Sequence, residues 1–130
     1  MADPTRFARL TYRIAGIYGL IVLLPQYLLE QRIGQDQPPP ITHPEYFYGF
    51  VGVAVVWQLA FLVMATDPVR YRALMPVTVL EKLSFGVAAL VLFALGRSPV
   101  QIAIGGGMDL VLGALFTVAW FRTDPARGRT

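Results

Sequence analysis

The sequence predicts an all-α, polytopic membrane protein of four transmembrane helices running up, down, up and down as one bundle, and three observations predict it. First, 55% of the 130 residues are apolar and only 15% are charged. A soluble domain of this length exposes a large share of its surface and needs more polar residues than that to cover it. Second, the apolar residues gather into four long blocks, about 14–29, 46–65, 74–95 and 100–121. Each approaches or exceeds the roughly 20 residues that a helix needs to cross about 30 Å of hydrocarbon. Third, the arginines behind the net charge of +3 stand at block ends. That distribution marks orientation in a membrane and argues against nucleic acid as a partner.

The first helix follows the phrase DPTRFARL at Asp3, which recurs as DPVRYRAL at Asp67 and closes the chain as TDPARGR from Thr123. Asp-Pro suits a helix start, because aspartate accepts bonds from free first-turn amides and proline has no amide to satisfy. Phe7 and Tyr71, one residue beyond the arginines, fit an interfacial aromatic belt. After the first block the chain runs on through Leu28-Leu29-Glu30-Gln31-Arg32 without a small-residue cleavage site, so the block is expected to stay as a helix. Arg6, Arg9, Arg13, Arg70, Arg72, Arg122, Arg127 and Arg129 share one side, and Arg32 and Arg97 the other. Both termini are therefore expected on the cytoplasmic side.

The outer loop, about 30–45, contains Pro38-Pro39-Pro40 and reads as an extended strap. Thr42-His43-Pro44-Glu45 before helix two and Ser98-Pro99-Val100-Gln101 before helix four both match a capping box. These parallels predict two helical hairpins, about 3–66 and 67–123, with a tail over 124–130, related either by duplication or only by a shared preference of cytoplasmic helix ends for Asp-Pro-x-Arg. Pro25 and Pro76 are expected to kink helices one and three.

Charge inside the blocks is the candidate chemistry. Glu81 and Lys82 interrupt helix three and Asp109 interrupts helix four. A charge at a helix centre costs roughly 2.5–3.5 kcal/mol on insertion scales, so such groups face other helices and find partners. At 1.5 Å per residue, Lys82 lies about 12 Å and Asp109 about 16 Å above the inner edge of a 30 Å core, within reach of one lysine stem. A Lys82–Asp109 pair is expected. Glu81 points about 100° away from Lys82; Gln58 in helix two falls at nearly its depth, with Trp57 adjacent, or Glu81 takes up a proton. Gly106, Asp109, Gly113 and Thr117 form a stripe of small or polar residues that lets helix four pack closely, and Gly16 and Gly19 do the same in helix one. Gly105-Gly106-Gly107 reads as close packing in preference to a local unwinding. If the hairpins are duplicates, Tyr18 and Gly52 hold the positions that match Lys82 and Asp109.

Several chemistries are absent from the sequence. There is no cysteine for disulfides or thiolate metal sites. His43, the lone histidine, fits a cap, and haem or multi-histidine metal binding needs a second. No nucleophile–base set, phosphate loop or dinucleotide fingerprint is present, so no catalytic residue, cofactor or metal is assigned.

Trp57-Gln58, then DPVRYRALM from Asp67, then Leu80-Glu81-Lys82 with Phe85 resemble small bacterial four-helix inner-membrane proteins, over about a third of the chain. Proteins of the DoxX-like kind share the general shape. The resemblance implies a multi-pass protein of a bacterial cytoplasmic membrane and brings no activity. The expectation ranked first is a non-enzymatic component, in a homo-oligomer or as accessory subunit of a larger membrane complex, with the lipid bilayer as its surroundings. A small transporter or proton-linked binding protein using Glu81, Lys82 and Asp109 comes second, and an enzyme acting on a lipid or quinone third.

Overall fold

The computed structural model describes residues 3–128, and of 127 and 128 the backbone only. Arg129, and so one of the eight orienting arginines and the end of the tail, lies outside the described residues. The fold class is all-α, with no strand among the described residues. The α-helices are α1 (Arg6–Leu23), α2 (Glu30–Asp36), α3 (Pro44–Thr66), α4 (Met75–Ala94) and α5 (Val100–Arg122). Four helical stretches, Arg6–Leu28, Pro44–Thr66, Arg72–Ala94 and Val100–Arg122, are long and apolar enough to cross a membrane. The chain divides into two compact units, Arg13–Val63 and Met1–Tyr12 with Met64–Thr130.

Helix α1 starts earlier than the apolar block because its arginines occupy exposed or half-exposed positions while Ala8, Thr11, Tyr12, Ala15 and Gly16 recur on a buried stripe. In the unit Arg13–Val63, Gly16 makes the crossing with α3 possible. A Cβ there would stand 2.8 Å from the Leu62 side chain and 2.9 Å from the carbonyl oxygen of Gln58. Pro25 does not kink a continuing α-helix. α1 ends at Leu23 and a 3₁₀ helix, Leu24–Leu28, carries the chain onward with the proline at its start, where a missing amide leaves no bond unmade.

The loop at about 30–45 is not wholly extended, as a strap of three prolines predicts. Its first part is helix α2, held by an Arg32–Asp36 ion pair of 2.8 Å at i,i+4 spacing and tied to α3 by Tyr48, whose hydroxyl donates to Glu30 at 2.8 Å. The prolines only mark where that helix stops, and the Pro38–Pro39 bond is cis.

In the second unit the repeated Asp-Pro phrase has three outcomes. Each aspartate accepts from a nearby backbone amide: Asp3 from Thr5 at 2.8 Å, Asp67 from Arg70 at 3.1 Å and Asp124 from Ala126 at 3.0 Å. The bonds from Thr5 hold the Asp3 carboxyl below its ordinary pKa. Only the first phrase opens an α-helix. The second makes a turn and a 3₁₀ helix, Arg72–Leu74, before α4 begins, and the third leads into a 3₁₀ helix, Pro125–Gly128. An aspartate caps any turn that offers a free amide, so the motif specifies a chain reversal and not the element after it.

Pro76 also departs from expectation. It lies in the first turn of α4, where it removes no helical bond and makes no kink. The capping box at Ser98 is not formed, since Pro99 holds the N-cap position and no side chain caps it. Between α4 and α5 the reversal is set by Gly96 at φ 68°. Its amide bonds to Phe93, and the Arg97 amide reaches back to Leu92, a left-handed helix ending that favours glycine.

Helices α4 and α5 pack antiparallel. Gly86 and Gly106 bring the backbones together: a Cβ on Gly86 would stand 2.8 Å from the Leu110 side chain and 2.9 Å from the Gly106 carbonyl oxygen. The run Gly105-Gly106-Gly107 stays helical throughout, as expected for close packing. The first turns of α1 complete this core. Tyr12, fully buried, stacks on Phe116 with ring centroids 4.3 Å apart. Its hydroxyl meets Thr78 at 2.7 Å.

Candidate functional site: an ion triad between two apolar helices

The charged residues in α4 and α5 meet. The ammonium of Lys82 lies 3.2 Å from Asp109 Oδ1 and 3.5 Å from Glu81 Oε2. Lys82 is 4% exposed, whereas the side chains of Glu81 and Asp109 keep 18% and 17% of their surface. The lysine thus sits inside the helix pair, and its two carboxylates stand at the margin.

Local sequence explains the placement. Lys82 falls on the α4 stripe of Thr78, Gly86 and Ala89, all buried and spaced to face one way. Opposite, Gly113 offers no side chain, and a Cβ there would stand 3.3 Å from Lys82 Cβ. The glycine leaves room for the lysine stem beside the backbone of α5, and Asp109, one turn earlier, receives the ammonium. Thr117, the last member of the predicted polar stripe, turns back to its own helix and donates to the Gly113 carbonyl at 2.8 Å.

Glu81 completes the triad through its neighbour Lys82. One of its oxygens, Oε2, is buried and has the Lys82 ammonium, 3.5 Å away, as its ionic neighbour. With all three groups ionised, two carboxylates share one ammonium and the triad carries an excess negative charge.

Gln58 belongs to the other unit. It is 3% exposed, donates to the Ala54 carbonyl of its own helix at 2.9 Å, and lies against Gly19, whose lack of a side chain makes its space. Its Oε1 is buried without a donor. The structure therefore joins Glu81, Lys82 and Asp109 directly and gives Gln58 its own setting in the α1–α3 crossing.

His43 lies outside this chemistry. Its ring nitrogen Nδ1 is 3.1 Å from Glu45 Oε1, with both side chains largely exposed. Among the described residues no three His, Asp or Glu side chains gather to hold a metal. Clefts lie at helix ends among the described residues. One lies among Pro4, Val69, Arg122 and Asp124, another among Glu30, Gly34 and Pro40. Neither is lined by the triad.

Sequence reasoning passed over Gly86, whose signal was its place on the face of Lys82 one turn on. It also passed over the pairing of Arg72 with Trp120, whose centroid lies 5.2 Å from the guanidinium carbon. No sequence signal predicts that pair, since it depends on where α4 starts against α5. Compared with known protein families, curated proteins and solved structures, the chain matches none of them.

Proposed function

We propose that this chain is a non-enzymatic, multi-pass component of a bacterial cytoplasmic membrane, acting as an accessory subunit in a larger membrane assembly. The observation that carries this reading is the placement of Lys82. Its ammonium is enclosed by the helix pair it joins, so in this reading the strongest polar chemistry of the chain serves helix register. Around it, α3, α4 and α5 turn large apolar side chains outward, such as Val56, Leu80 and Ile104, as surfaces meeting lipid or further helices do. Chemical cross-linking of protein extracted in native lipids should give a defined oligomer or a co-purifying membrane partner. A clean monomer that cross-links to nothing refutes the accessory role.

In this reading the end that carries Asp3, Asp67 and Asp124 faces the cytoplasm, because the arginines collect there. The chain has no cysteine, so a single Ala126→Cys substitution reports its side. Labelling by a membrane-impermeant thiol reagent should require permeabilised cells, and labelling of intact spheroplasts reverses the orientation.

A second reading rests on the charge count of the triad. Two carboxylates around one ammonium, 3.2 and 3.5 Å from it, suit a proton-linked binding or transport role. It requires Asp109→Asn to change proton flux into vesicles at unchanged membrane insertion. Unchanged flux with lowered thermal stability assigns the triad to helix packing alone.

A further inference from the structure

The end of the molecule where the three Asp-Pro phrases lie holds more cationic charge than its own acids neutralise. Asp3, Asp67 and Asp124 spend their carboxylates on backbone amides. Among the described residues, no ion pair joins any of them to an arginine. Arg9 is taken up by the carbonyls of Ala65 and Thr66 that close α3. Three further guanidiniums at this end have aromatic rings as neighbours: Arg70 over Tyr71 at 5.7 Å, Arg72 over Trp120 at 5.2 Å, Arg122 over Phe7 at 4.6 Å.

Arg72 stands apart from the other two. Its Nε is buried and finds no hydrogen-bond acceptor. A dry N–H that faces no acceptor is costly, and more so on a charged group. The ring of Trp120 holds the guanidinium, and with Nε enclosed the fork that an anion with two oxygens would meet is the terminal Nη pair. A phosphate matches that fork, bidentate and charge-assisted. Arg122 suits an anion less well, because Asp124 lines the same cleft.

Location then selects the source of the phosphate. Arg72 opens the stretch Arg72–Ala94 and Trp120 sits in the last turn of Val100–Arg122, both apolar enough to span a membrane. Tryptophan at such a helix end lies at headgroup level, where lipid phosphates are dense and basic pockets between helices hold anionic headgroups.

We propose that Arg72, stacked on Trp120, binds the phosphodiester of an anionic phospholipid at this end of the molecule. The assignment rests on the chain being embedded in a bilayer and is independent of the ion triad and of the accessory role.

The test uses full-length protein reconstituted in nanodiscs of phosphatidylcholine, where incorporation reads the membrane assignment by itself. Phosphatidylglycerol is then titrated in, with binding read from the Trp120 fluorescence of a Trp57→Phe background and from lipids retained in native mass spectra. Phosphatidylglycerol should be retained in preference to phosphatidylcholine. Arg72→Lys, which keeps the charge but loses the fork, and Arg72→Gln should each weaken it by about tenfold or more, the equivalent of one charge-assisted hydrogen bond. Arg97→Gln, at the other end of α4, should bind as the parent does. Equal retention of the two lipids, or unchanged binding in both Arg72 variants, overturns the proposal. Displacement of the lipid by inorganic phosphate at equal concentration overturns the lipid assignment.

Discussion

The α1–α3 crossing and the α4–α5 crossing share one geometry and differ in what they set beside it. In each, a glycine on the first helix meets a backbone carbonyl and, one turn away, a leucine on the second. For Gly16 these are the Gln58 oxygen and Leu62, and for Gly86 the Gly106 oxygen and Leu110, at the same 2.9 and 2.8 Å from an added Cβ. One turn onward the two pairs divide their volume oppositely. Gly19 gives room to the Gln58 side chain, whereas Gly106 gives room to Ala89. By the same sequence offsets, Tyr12 and Phe61 correspond to Lys82 and Asp109. All four residues are buried or nearly so, but two of these positions hold aromatic residues and the other two an ion pair. A close backbone approach is thus compatible with either filling. The crossing supplies contact, and the filling decides whether polar chemistry is present.

Replacing the charges should break the second pair most severely. Lys82→Met leaves Glu81 and Asp109 without an ammonium, and loss of one partner of a buried ion pair costs about 3–5 kcal/mol. Thermal unfolding in detergent should show that loss, and Lys82→Met combined with Asp109→Leu should recover part of it. Equal stability of the parent and Lys82→Met would mean that the ion pair does not hold α4 to α5.

The shared crossing gives a paired prediction of intermediate size. Gly16→Ala and Gly86→Ala each drive a methyl against a carbonyl oxygen that cannot swing aside, and overpacking of this kind costs about 1–3 kcal/mol. The two losses should agree, measured as shifts in unfolding midpoint. A large effect from one and none from the other would show that the two crossings are not equivalent.

The smallest effect is expected at Gly107, where an added Cβ meets nothing within 4 Å. Gly107→Ala should be neutral or stabilising by up to about 1 kcal/mol, from helix propensity alone. A marked destabilisation would place a further helix against that face and sharpen the accessory-subunit reading.

Much of this was legible in the residues. Four spans follow from hydropathy because crossing a bilayer is a sum over one segment, whatever that segment packs against. The Lys82–Asp109 contact was legible because depth along a helix is counted in residues and a charge in hydrocarbon needs a partner. Helix α2 was not read, since its seven residues carry no apolar block and only the Arg32–Asp36 spacing marks it. The repeated phrase misled in a specific way. Counted from Asp3 and Asp67 it matches Lys82 to Tyr18, but the turn and 3₁₀ helix after Asp67 delay α4, and the packing register matches Lys82 to Tyr12.

The sequence by itself determined which segments are apolar enough to span, where the chain reverses, and that three charges in those segments have to be accommodated. The tertiary structure alone decided which glycine lies under which carbonyl, that Gly113 makes room for the lysine, and that Trp120 lies under Arg72. The physical reason is that hydropathy and capping are settled within a few neighbouring residues. A crossing point depends on the shapes of two surfaces far apart in the chain, and no local pattern contains both.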